Sequence, residues 1–181
     1  MKKIGIHFAQ VEEGLTLMDQ DEIAGMVHVL NMVKQNGGTV YVFGNGGSHA
    51  TAGHFANDLM KMCRIKAVCV GDMASAMMAW GNDTGWENMF YGPINEMVQP
   101  NDGVVGISCG GNSENVTRAL IAAKDEWGVL CAGMTGISNS SEINMIGLDA
   151  LIHARVPDIR VQEDLHLMVC HAIVRAIQEA E

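Results

Sequence analysis

The sequence predicts an α/β protein, a three-layer αβα sandwich built on a mainly parallel five-stranded sheet, with an extra N-terminal helix. Three observations point there. Five short runs rich in β-branched residues alternate with longer stretches of helical periodicity, the pattern of a parallel sheet covered on both faces. Glycine-rich turns follow several of those runs. The composition is 48% apolar and 18% charged, which suits a packed core and not a disordered chain. The 181 residues fit a single domain over 1–181, with a helical segment over about 1–36 and an α/β core over about 39–181.

Each element has its own reason. From Asp21 to Gln35, residues Ile23, Met26, Val27, Leu30 and Val33 share a helical face, and Asn36-Gly37-Gly38 stops the helix. Thr39 to Phe43 is a β-rich run that enters the turn Gly44–Gly47. Ser48 then reads as the N-cap of a helix to about Met62. Lys66 to Val70 reads as a buried strand. Ala74 to Trp80 and Glu87 to Val98 read as helices separated by Gly81-Asn82-Asp83. Gly103 to Ser108 is a strand, the loop Cys109-Gly110-Gly111-Asn112 follows, and Ser113 caps a helix to about Trp127. Gly128 to Met134 is a strand ending at Thr135-Gly136, and Ala150 to Val156 is the last strand. Arg160 to about Glu179 is a long terminal helix.

Charge and composition remove several function classes. A formal net charge of −10 argues against nucleic acid as a direct partner, because phosphate backbones demand clustered Lys and Arg. A small anion stays admissible, since backbone N–H groups bind phosphate inside an acidic protein. The five cysteines are scattered and form no C-x-x-C pair, which argues against a zinc-thiolate site or a disulfide framework. No Lys follows the glycines as in a Walker A loop, and G-x-G-x-x-G is absent, so no nucleotide cofactor is expected. The start MKKIGIHFAQVEEG turns acidic before any signal-peptide-like apolar run, and no segment approaches a membrane span; a cytoplasmic, reduced protein is expected. The 14 methionines read as adaptable core and interface filler, with Met18, Met26 and Met32 suited to a helical interface.

Three loops, GNGGS, SCGGNS and GMTG, fall at the carboxyl ends of predicted strands, where parallel sheets bind ligands. Glycine lets the backbone approach a ligand, and the helix that follows offers free N–H groups. Two such loops on neighbouring strands favour an anion site for a small phosphate ester. His54 and Asp58 lie at i, i+4 and share a face; they can hold a divalent metal, act as an acid/base pair, or form a plain surface ion pair. The terminal helix carries Glu163, His166 and His171. Glu163 and His171 are about 12 Å apart along the axis, yet nearly on one side. His166 fits a satisfied core histidine. His49 adjoins the first loop and could touch a ligand there, whereas His7, His28 and His153 have no supporting pattern.

GNGGSHATAGHFANDL resembles the GNGGSAADAQHFAAEL pattern of bacterial phosphoheptose isomerases, sugar isomerase (SIS) domain proteins acting on sedoheptulose 7-phosphate. ISCGGNSENV resembles their ISTSGNSPNV, GNDTGWENMF their segment with Asn-Asp followed by an aromatic residue and Glu, and EDLHLMVCH their QEVHILTIH. The likeness runs in order from about residue 20 to the C-terminus. It implies a flavodoxin-like SIS fold, aldose–ketose isomerisation of a sugar phosphate through an enediol, a homotetramer with active sites between subunits, and Zn²⁺ or another divalent metal in several members. Carried over by position, His54, Asp58, Glu163 and His171 become metal ligands, and Asp58, Glu163 and His171 the catalytic acid/base candidates. Ser48, Ser108, Cys109, Gly110 and Ser113 would contact the phosphate, with Gly46, Gly47 and Asn112 in the same loops. Asn45 and Asp83 would face the sugar.

Some positions depart from the family pattern. Asp58 stands where it has Glu, Glu163 where it has Gln, and Cys109 and Gly110 replace Thr and Ser, removing two hydroxyl donors. Loss of those hydroxyls leaves a second class of reading open: a non-catalytic SIS scaffold of the replication-initiator-associating type, or a phosphosugar sensor. The sequence also leaves open whether Gln162 or Glu163 faces the cleft, because a rotation of about 100° exchanges them.

Overall fold

Alternation within the strands is what builds the three layers. Val40 and Val42 point to one side of the sheet, Tyr41 and Phe43 to the other; Val105 and Ile107 oppose Val104 in the same way. The computed structural model describes residues 2–179. Its five strands are β1 (Thr39–Gly44), β2 (Lys66–Cys69), β3 (Gly103–Ser108), β4 (Leu130–Thr135) and β5 (Ala150–His153). All neighbours pair in parallel, in the order β2-β1-β3-β4-β5.

The helices are α1 (Lys2–Thr16), α2 (Gln20–Gln35), α3 (Gly47–Cys63), α4 (Ala74–Thr84), α5 (Asn88–Asn95), α6 (Glu114–Ala122), α7 (Glu142–Met145) and α8 (Ile159–Glu179). One core lies between the sheet and α2, α3 and α8, with Met26, Leu30, Phe55, Leu59 and Ile173 fully buried. The second lies between the other face and α5, α6 and α7, around Phe43, Phe90, Ile94, Leu120 and Ile143. A third, smaller cluster of Ala154, Val156, Val161 and Leu165 receives Val11 of α1. No helix among the described residues is long and apolar enough to cross a membrane.

Four expectations change. Lys66–Cys69 is an edge strand with Lys66 exposed, because β2 has a neighbour on one side only. Helix α4 continues through Gly81-Asn82-Asp83 and stops at Gly85, whose φ of 112° breaks it. Met26 belongs to the core, so it offers nothing to an interface. Ser48 is not the N-cap of α3. Gly46 caps it at φ 55°, a left-handed backbone that glycine adopts freely, and this starts the helix at Gly47.

Candidate active site

The sheet order reverses between β1 and β3, and a parallel sheet opens its crevice at such a switch point. GNGGS follows β1 and SCGGNS follows β3, so both loops border one cavity of about 170 Å³. Asn45 and Ser48 line it from the first loop; Ser108, Cys109, Gly110 and Ser113 line it from the second. The amino half of α8 closes it with Ile159 and Glu163.

Local chemistry fixes each wall. Ser48 sits in the first turn of α3 and is 6% exposed, turned to the Cys109 sulfur at 4.0 Å. Asn45 and Asn115 exchange two amide hydrogen bonds of 2.9 Å, which locks the first loop to the start of α6. Ser108 Oγ donates to Ser113 Oγ at 3.2 Å and accepts from the Gly111 N–H at 3.1 Å, folding the second loop onto itself. The amino ends of α3 and α6 thus both start at the loops around the cavity, and their free N–H groups and partial positive charge favour an anion.

Cys109 contributes a thiol. Burial, reinforced by the Glu163 charge, pushes its pKa up to about 11, against the hydrogen bond from Ser48. Behind it lies His166, 1% exposed. Its Nε2 donates to the Thr135 carbonyl at 2.9 Å, leaving Nδ1 to face the Cys109 sulfur at 3.8 Å. Burial pulls the imidazole pKa down to about 4, so the ring is neutral. His166 is the satisfied core histidine that the sequence suggested, and it ties the second loop to α8.

The carboxylate question on α8 is resolved by packing. Gln162 is buried and donates to the Val156 carbonyl at 2.6 Å. Glu163 faces the cavity, its carboxylate lying so close over Gly47 that a Cβ there would collide with it. A negative group is favoured at that spot by the amino end of α3.

Further along the same two helices, His54, Asp58 and His171 meet. His54 Nε2 lies 3.2 Å from Asp58 Oδ2 and 3.0 Å from His171 Nε2, and the two rings stand edge to face at 82°. Asn57 Nδ2 donates to Asp58 Oδ1 at 3.2 Å. The donor atoms of these three residues all lie within 4.8 Å of one another. Glu163 is outside this group, because eight residues of helix carry it about 12 Å from His171.

Other expected residues fall elsewhere. Asp83 is on the exposed side of α4 and borders a separate cavity of about 240 Å³ with Trp80 and Thr84. Asn112 turns away and accepts from the Glu142 N–H at 2.8 Å, at the start of α7. The GMTG loop lies beneath the site, where the Gly136 N–H donates to the Cys109 carbonyl at 2.9 Å. Asn115 was not foreseen; its signal was a polar residue on the buried face of α6, beside Val116, Ala119 and Leu120.

Fold and cavity together define a class: a parallel αβα sheet protein with its cleft at the switch point, between two glycine-rich loops that open helices. A SIS domain family model matches residues 7–136, and the chain belongs to the SIS domain family. It is similar to the phosphoheptose isomerase of Geotalea daltonii, 35% identical over 87% of this chain and 83% of that protein. It is likewise similar to the phosphoheptose isomerase of Aquifex aeolicus, 29% identical over 99% of this chain and 95% of the other. Among solved structures, the phosphoheptose isomerase of Neisseria gonorrhoeae superposes with a TM-score of 0.87 at 26% identity, covering 98% of both chains.

Proposed function

We propose that this protein is an aldose–ketose isomerase of sugar phosphates, with sedoheptulose 7-phosphate as its substrate. The observation that carries the reading is the shared cavity: both glycine loops open on it, and the His54, Asp58 and His171 group sits further along the helices that wall it. The names of the relatives support the same chemistry.

In this reading the hydroxyls of Ser48, Ser108 and Ser113 and the loop amides grip the phosphoryl end. Binding energy spent there positions the carbonyl end. Ser48 to His54 is six residues, about 9 Å along α3, which separates the phosphate grip from the proton-transfer group. Isomerisation moves a proton between neighbouring carbons through an enediol, so it needs a base and an acid. Asp58 takes the carbon-bound proton. His171 supplies and recovers the proton on oxygen, and His54 holds both partners in register. Glu163, at the phosphate end, is left out of the proton transfer. Two imidazoles and a carboxylate within 4.8 Å fit a divalent cation such as Zn²⁺. Bound by His54, Asp58 and His171, such an ion would polarise the substrate carbonyl in place of the His171 proton, and the Asp58 oxygen it did not engage would remain the base.

Assembly completes the proposal. Phe8 on α1 is 68% exposed and Met78 on α4 is 71% exposed, which suits contact between copies in a cytoplasmic homotetramer. Asp83 then serves the cavity of a neighbouring copy.

The test is isomerisation of sedoheptulose 7-phosphate in D₂O, followed by NMR. Turnover with deuterium entering the carbon beside the carbonyl is expected. Asp58→Asn and His171→Gln each lower kcat by about 100-fold or more. Absence of exchange with sedoheptulose 7-phosphate, or full turnover in both variants, overturns the assignment.

A further inference from the structure

His49, Cys69 and Asp72 come from three different elements and meet on a side of α3 that His54 does not face. Five residues separate His49 from His54, about 140° around the helix and about 7.5 Å along it. Cys69 ends β2, and Asp72 ends the single 3₁₀ turn Val70–Asp72 that follows at once. We propose that these three side chains form a second cation site, selective for Zn²⁺ and similar thiophilic divalent ions.

The geometry is that of a ligand set. His49 Nδ1 lies 3.6 Å from the Cys69 sulfur, and Asp72 reaches the other side of the same ring, its Oδ1 3.5 Å from Nε2, a nitrogen that an ion held by Nδ1 leaves free. One donor atom from each residue can be chosen so that all three lie within 4.8 Å of one another. Zn–S and Zn–N bonds of about 2.3 and 2.05 Å at a tetrahedral angle put sulfur and nitrogen about 3.6 Å apart, the separation already present. A thiolate, an imidazole and a carboxylate are also the donor types zinc takes.

Two further observations support a built site. Burial and the Asp72 charge raise the Cys69 thiol pKa, and the backbone amides of Asp72 and Gly71 beside the sulfur act against that rise. Gly71 is also the residue over which the imidazole rides: a Cβ at that position would collide with His49 Nδ1 and Cε1. Cys69 is buried at 8% exposure, whereas the His49 and Asp72 side chains are 38% and 69% exposed. Sulfur is therefore sheltered, and the fourth coordination position faces solvent, where water completes it. Without metal, burial and the Asp72 charge keep the thiol protonated. Ligation forms the metal–sulfur bond and releases that one proton to solvent. Cysteine spacing in the sequence argued against zinc-thiolate binding; the site arises because folding brings single donors together from separate elements.

The experiment is a Co²⁺ titration of the full-length protein after chelator dialysis, read by the thiolate-to-cobalt charge-transfer absorption in the near ultraviolet. The band is expected to saturate at one cobalt–sulfur site per chain, within two equivalents of added Co²⁺ because the His54, Asp58 and His171 group also takes up the ion, and Zn²⁺ to abolish it. His54 and His171 carry no sulfur, so the band is independent of the isomerase reading, and His171→Gln retains it. Cys69→Ser loses it. His49→Ala and Gly71→Ala weaken cobalt binding at least tenfold, with far-ultraviolet circular dichroism checking the fold. Absence of the band in the folded wild-type protein, or its survival in Cys69→Ser, overturns the site. Should Cys69→Ser not fold, unchanged cobalt affinity in both His49→Ala and Gly71→Ala overturns it equally.

Discussion

Acidification from pH 7 to pH 4 costs the native state about 3 kcal/mol through His166 alone. The ring is 1% exposed, one nitrogen donates to the Thr135 carbonyl, and the other faces the Cys109 thiol, so nothing nearby welcomes a second proton. Burial lowers its pKa from 6.5 to about 4. In the unfolded chain the same imidazole titrates at its ordinary value. Between about pH 6.5 and pH 4 the unfolded state therefore holds a proton that the native state lacks, and stability rises with pH there. The stabilisation is complete above the unfolded value and gone once pH has fallen through the folded one. A gap of about 2.5 units at about 1.4 kcal/mol each gives the figure.

Urea denaturation across pH 4–8, at fixed protein concentration, measures it. The comparison is His166→Gln, which keeps an N–H₂ group for the Thr135 carbonyl but does not titrate. Carboxylates elsewhere titrate in both proteins and cancel in the difference. The wild-type advantage over the variant is expected to grow by about 3 kcal/mol between pH 4 and pH 7 and to level off above pH 6.5. A difference that is flat over that window, or that shrinks as pH rises, refutes the reasoning.

Three other outcomes follow from the cavity. Glu163→Gln removes a like charge from the anion cradle; one unit charge at about 4 Å is worth about 1 to 4 kcal/mol between water and a protein surface, so calorimetry should show sedoheptulose 7-phosphate binding at least tenfold tighter. Cys109→Ser puts a hydroxyl donor where a buried thiol stands, and phosphosugar affinity rises several-fold in the same assay, by the ~1 kcal/mol of a hydrogen bond. Gly47→Ala drives a Cβ into the Glu163 carboxylate, lowering Tm by several degrees; adding Glu163→Ala restores it, and failure of that rescue would show the two residues do not meet.

The sheet was legible because its inner strands are apolar on both faces, which leaves few other readings for runs such as Val104-Val105-Gly106-Ile107. The glycine loops were legible for a local reason, since strand, turn and helix start are contiguous. Misreadings came where tertiary packing overrode local preference. Gly81-Asn82-Asp83 looked like a break, yet α4 runs through it: Gly81 packs against Met89 of α5, and Met77 is held by the second core. Asn112 lies in the second loop, and what its sequence position does not announce is that the nearby start of α7 takes its side-chain oxygen. Glu163 and Gln162 were indistinguishable until the Val156 carbonyl was seen to take the glutamine. The His49, Cys69 and Asp72 cluster had no signature, since 20 residues separate the first two and only folding joins them.

Helix α3 explains why these features stay separate. At about 100° per residue, Ser48 faces the cavity, His49 the turn after β2, and His54 with Asp58 the side of α8 that carries His171. A one-residue insertion after Gly47 rotates all the following positions by about 100° relative to the loop. His49 then leaves Gly71, and the His54–Asp58 pair leaves His171, although no functional side chain has been changed. The spacing of Ser48, His49 and His54 along α3 therefore puts the cavity wall, the cysteine cluster and the His54–Asp58 pair on three faces of a single helix.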